Sequence, residues 1–74
     1  MIHLREDILK AQIAHAQGKI AKQQQNVEIY LNQTVGIGEL PDVMGTFDGE
    51  INAIAQAHEK IEIINHYFLE RGQL

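Results

Sequence analysis

Apolar side chains recur at intervals of three and four along most of the chain, and one stretch interrupts the rhythm. Leu9, Ile13, Ala16, Ile20, Val27 and Tyr30 or Leu31 form the first series, the single stripe of an amphipathic helix. This predicts a helix from about Leu4 to about Leu31, with Glu6 and Asp7 in the first turn complementing its dipole. The second series is Leu40, Val43 or Met44, Phe47, Ile51, Ile54, His58, Ile61, Asn65 and Phe68, which keeps a heptad spacing. It predicts a helix from Pro41 to about Glu70, because proline suits the first helical position and Asp42 then lies in the first turn. A later start at Thr46, with Gly45 as a cap, would strand the apolar residues before it. Between the two series, Val35-Gly36-Ile37-Gly38-Glu39-Leu40-Pro41-Asp42 reads as the bend of a helical hairpin, within a connector over 32–40.

Three irregularities refine this picture. The first stripe is broken by Lys22-Gln23-Gln24-Gln25-Asn26, and Gln23 falls at a stripe position. A polar residue there specifies register or oligomer state at some cost in stability; a solvated gap between splayed helices is the other reading. Gly45 and Gly49 lie inside the second helix, where each costs about 1 kcal/mol relative to alanine. Close packing would compensate: Gly45, Gly49, Ala53 and Ala57 recur every four residues, and Ala11, Ala14, Gly18 and Ala21 form a comparable line in the first helix. The second helix is also apolar on more than one side, through Ala53, Ala57, Ile63, Ile64, Tyr67 and Leu69. One antiparallel partner helix cannot cover all of it, and monomers rarely leave such patches in water.

Size sharpens that last point. A core within 74 residues supplies only roughly 3–5 kcal/mol, and small domains usually add a staple. The chain has no cysteine and no Cys/His zinc pattern, so self-association is the staple that remains. The expected class is therefore all-α: one domain, an antiparallel hairpin assembling into a homo-oligomeric bundle, at least a four-helix dimer. Ten acidic and six basic residues leave a net charge of −4, against the basic stripe that nucleic-acid binding requires. No apolar run approaches the about 18 residues of a membrane span, and the acidic start is unlike a signal peptide. A cytoplasmic protein without a cofactor is expected.

Candidate chemistry is sparse. Gly36, Ile37 and Gly38 would supply amides for an anion-binding nest beside the second helix if the glycines take positive φ. Glu39 and Asp42 oppose an anion there, and the nearest preceding cation is Lys22. Phosphates would then need Arg5, Lys10 or Arg71 of a second subunit, while Tyr30 and Phe47 flank the bend and could stack on a base. The plainer reading is a helix cap followed by a tight connector. Folding about residues 36 and 37 sets residues whose numbers sum to about 73 level, pairing His15 with His58 in a pH-sensitive seam and Asp7 with His66. His58, Glu62 and His66 also stand every four residues, a spacing that can gather metal ligands. Ordinary solvated histidines explain the same pattern. Serine is absent, and Thr34 and Thr46 have no base in predictable reach, so no enzyme is expected.

The segment V-G-I-G-E-L-P-D (35–42), with the helix that carries H-E-K-I-E-I-I-N-H-Y-F (58–68), resembles short helical-hairpin proteins of tailed bacteriophages. The resemblance covers the bend and the second helix and implies a phage accessory factor in the host cytoplasm. Small oligomeric phage proteins include inhibitors of host defence, some of which sequester cyclic-nucleotide signals in pockets between subunits. No residue here matches a motif of those proteins, so no site carries over from them. Two functions follow as expectations: a non-catalytic oligomer that sequesters a small anionic ligand such as a cyclic nucleotide, or a virion or host-factor adaptor docking partners through the apolar second helix.

Overall fold

The computed structural model describes residues 4–69 as two long antiparallel helices. Helix α1 runs Leu4–Leu31 and helix α2 runs Leu40–Ile64, continued by a π-helical turn over Asn65–Leu69. The rod measures 59 × 25 × 14 Å, so it is one helix thick. Its radius of gyration is 17.1 Å, against about 11 Å for a compact domain of this length. Among the described residues no helix is long and apolar enough to cross a membrane.

The end of α1 is made by Asn32. Its amide nitrogen and its side-chain Nδ2 both donate to the Glu28 carbonyl, at 3.2 and 2.7 Å. This satisfies a carbonyl that the helix end would otherwise leave without a partner. Residues 33–36 then cross over, and a 3-10 turn, Ile37–Glu39, feeds directly into α2. Pro41 sits in the first turn of α2, where its missing N–H costs nothing.

The seam between the helices follows the α1 stripe closely. Leu9, Ile13, Ala16, Ile20, Gln23, Val27 and Tyr30 all lose exposure towards α2, while Leu31 stays outside. On α2 the face towards α1 is Val43, Phe47, Glu50, Ile54, Ala57, Ile61 and Ile64, itself a heptad series. This corrects the expected series, because Leu40, Met44, Ile51, His58 and Phe68 point away from α1. Helix α2 carries two overlapping stripes, and the hairpin uses the one whose alanines allow close approach. Among the described residues Ala16 and Ala57, at 3 and 4 % exposure, are the fully buried hydrophobic ones.

The π turn explains the end of the seam. A π turn holds an extra residue relative to an α turn, so the seam position after Ile64 and Asn65 passes from Phe68 to Leu69. Phe68 is left about half exposed and Leu69 turns inward. The Phe68 carbonyl accepts a 2.6 Å hydrogen bond from the Arg5 guanidinium, which ties the open end of the hairpin together. That bond joins residues whose numbers sum to 73, the expected level relation.

The expected tight packing at the α2 glycines is not formed within the hairpin. A Cβ built on Gly45, Gly49 or Gly18 meets nothing within 4 Å, and Ala11, Ala14 and Ala21 are exposed. Only Ala53 and Ala57 of the small-residue lines face the neighbouring helix. The hairpin is two helices thick in one direction only, so small residues off the seam have nothing to approach.

Candidate functional site

The hairpin has two broad faces of unlike chemistry. On one flank of the α1 stripe Arg5, Gln12, Lys19 and Asn26 follow at sevens, which puts them in line along the helix. Gln12, His15 and Lys19 meet Gln56 and Lys60 in a shallow crevice of about 30 Å³ above the Ala16–Ala57 contact. Further along this seam Asn26 donates to Gln23 Oε1 at 3.4 Å and to Glu50 Oε2 at 3.3 Å. The polar break in α1 therefore has a partner across the hairpin, in the half-buried Glu50. This supports a register role for the break, since Asn26 and Glu50 meet at only one setting of the two helices.

The other face is apolar towards the bend. A cleft of about 310 Å³ opens there between Tyr30, Leu31 and Val35 on one side and Leu40, Met44 and Phe47 on the other, with Gln33 its most polar lining residue. Ile51 stands seven residues from Met44 and extends the same stripe along α2, with Met44 60 % and Ile51 41 % exposed. Beyond it the stripe turns polar at His58, whose Nε2 lies 2.9 Å from Glu62 Oε1 on the surface.

The structure brings some expected site residues together and separates others. Tyr30 and Phe47 share the cleft. Gly36, Ile37 and Gly38 do not line it, and Ile37 projects outward at 91 % exposure. The nest expected at the bend is not formed: Gly36 has φ −76° and ψ 160°, and no glycine among the described residues has positive φ. The 3-10 turn removes the need for it, and Glu39 N is already engaged with the Gly36 carbonyl at 3.1 Å. Arg5 lies at the open end, with its guanidinium on Phe68 O and on Glu6. Lys10 is exposed and 20 residues before Tyr30 on α1, about 30 Å along the helix. Arg71 lies outside the described residues.

The histidine pairings are corrected as well. His15 and His58 stand level but on different sides of the rod: His15 borders the crevice, while His58 is exposed beside Glu62. Helical rotation, which the level rule ignores, turns them apart. Asp7 and His66 are both exposed, and His66 packs edge-on against Tyr67 with ring centroids 4.7 Å apart. Among the described residues no three His, Asp or Glu gather to hold a metal ion, so His58, Glu62 and His66 form no shared site within one chain. The π turn begins at Asn65 and contains His66, so the α-helical spacing on which that set depended does not hold through it.

One feature of the sequence gains meaning from the fold. Residues 23–55, the bend half of the rod, contain Glu28, Glu39, Asp42, Asp48 and Glu50 and no Lys, Arg or His. Among the described residues, Arg5, Lys10, Lys19, Lys22, Lys60, His15, His58 and His66 all lie in the remaining half, with Glu6, Asp7, Glu59 and Glu62. The segment is one continuous stretch, so a charge count along the chain already shows it; the fold adds that it forms one end of the rod. Compared with known protein families, curated proteins and solved structures, the chain matches none. What the fold defines is a two-helix hairpin with one apolar face uncovered.

Proposed function

We propose that this chain is a non-catalytic binding protein that works as a self-associated helical bundle, with non-covalent docking as its whole chemistry. The observation that carries this reading is the second stripe of α2. Leu40, Met44 and Ile51 are 45, 60 and 41 % exposed, and α1 has no apolar flank to cover them. Its residues on that side, Lys10, Gln17 and Gln24, are polar until Leu31 at the bend. Total accessible area supports the reading: it is 5931 Å², where a compact monomer of 8.4 kDa exposes about 4,600 Å². A phage accessory setting, as the resemblance implies, suits a small protein that acts by occupancy rather than turnover. Sedimentation equilibrium at micromolar concentration tests the proposal. A mass of at least two chains supports it, and a folded species of one chain rejects it.

The shared cleft of Tyr30 and Phe47 favours a second reading, sequestration of a small ligand. Its volume of about 310 Å³ lies at the lower end of the range of ligand pockets, roughly 300–1,000 Å³. The lining is apolar and has no cation, so an anionic ligand such as a cyclic nucleotide would take its phosphate contacts from the partner's Arg5, Lys10 or Arg71. Calorimetry against cyclic di- and trinucleotides separates the readings. Absence of heat with every one removes ligand sequestration and leaves self-association standing.

A further inference from the structure

We infer that the uncovered face of α2 is the seat of a second copy of this chain, laid antiparallel so that each bend lies beside the other's open end. The inference rests on the self-association proposed above and specifies its face and its direction. Area comes first. The chain exposes roughly 1,300 Å² more than a compact protein of its mass, above the roughly 800 Å² that each partner buries in a standard interface. Part of that surplus is the continuous apolar stripe of Leu40, Met44 and Ile51, 45, 60 and 41 % exposed. The opposite face is closed to apolar docking by Gln12, Lys19, Gln56 and Lys60.

Charge then chooses the direction. Docking two bends side by side sets five acidic residues against five more, with no cation among residues 23–55 of either chain. Reversing one copy sets that acidic half instead beside the described residues 4–22 and 56–69, where Arg5, Lys10, Lys19, Lys22 and Lys60 outnumber Glu6, Asp7, Glu59 and Glu62 by five to four. Avoiding like charge across an interface fixes orientation more than it adds affinity. Full overlap of the rods buries the most apolar area. It places the two-fold axis near the middle of α2, and the cleft at Met44 comes level with the partner's π turn. That turn carries Tyr67 and Phe68, 58 and 47 % exposed, two of the large apolar side chains that the open end leaves uncovered. Each apolar cleft thus faces an aromatic end, twice over, as a two-fold requires.

The absence of cysteine makes the test direct. Thr34→Cys, in the exposed connector, places one nitroxide label at each bend. Antiparallel copies put the labels about 40 Å apart, the length of the 28-residue α1 at 1.5 Å per residue. Side-by-side bends put them within roughly 20 Å, given interaxial spacings of 8–10 Å. Met44→Asp and Gln12→Asp, both at exposed positions, identify the face, with helicity by circular dichroism as the folding control. The proposal expects the long distance, association weakened about tenfold or more by Met44→Asp, and no change with Gln12→Asp. A short distance overturns the direction while self-association stands. An oligomer broken by Gln12→Asp and indifferent to Met44→Asp overturns the face. A single-chain mass for unlabelled protein withdraws self-association itself.

Discussion

The two helices are of similar length, 28 and 25 residues, yet they solve different problems. Helix α1 spends its one continuous apolar stripe on α2; its other large apolar residues, Leu4, Ile8, Ile29 and Leu31, are exposed and make no second stripe. Helix α2 has two stripes, one spent on α1 and one left open. A helix with a single stripe is completed by a single neighbour, whereas one with two requires another neighbour. The bend and the open end differ in a parallel way, one acidic without cations around an apolar cleft, the other of mixed charge around exposed Tyr67 and Phe68. Within one chain neither asymmetry is resolved.

Substitutions in the two stripes of α2 separate their roles, and the largest effect belongs to the closed one. Ala57→Leu forces a bulky side chain into the closest approach of the helices, against Ala16. Overpacking of this kind costs about 1–3 kcal/mol, read as a lower denaturant midpoint at every protein concentration. Next comes the contrast between Ile54 and Ile51. Ile54→Ala on the seam costs about 2 kcal/mol at all concentrations. Ile51→Ala on the open stripe costs little in dilute protein and shows its effect only where copies associate, so unfolding across a dilution series distinguishes them.

Glycine replacement has the opposite sign. Gly45→Ala and Gly49→Ala each gain about 0.5–1 kcal/mol of helix propensity, because an added Cβ meets nothing within 4 Å. A loss of stability or of association in either variant would show that the glycine flank is packed against a neighbour after all. The smallest effect is at the open end. Arg5→Ala removes an exposed hydrogen bond to Phe68 O worth roughly 1 kcal/mol or less, and amide exchange should rise in the π turn while the bend is unchanged.

Much of the hairpin was legible because α1 offers no choice. With one stripe, the residues that face inward are those the spacing names, from Leu9 to Tyr30, and the glycine- and proline-bearing stretch marks the turn. Helix α2 misled because its two stripes share Phe47 and Ile54, and the expected series mixed them, taking Val43, Ile61 and Asn65 from the seam and Leu40, Ile51, His58 and Phe68 from the open side. Spacing cannot say which stripe meets α1, since that depends on how a 3-10 turn sets the rotation of α2 and on where two alanines allow close approach. Asn26 and Glu50 were passed over for a similar reason, as a cross-helix polar contact leaves no periodic trace. The bend glycines were read for a conformation they permit but do not use. At the candidate site, the meeting of Tyr30 and Phe47 in one cleft was foreseeable from their positions flanking the bend. Its uncharged lining depended on tertiary placement.

The central claim is that the open stripe of α2 is completed by another copy, so folding and assembly are coupled. Thermal unfolding of the unmodified chain, followed by circular dichroism over a hundredfold range of concentration, tests it most directly. Coupled assembly makes Tm rise with concentration, by mass action. A cooperative transition whose Tm stays fixed across that range would mean that the lone hairpin is the folded unit, and would contradict the account.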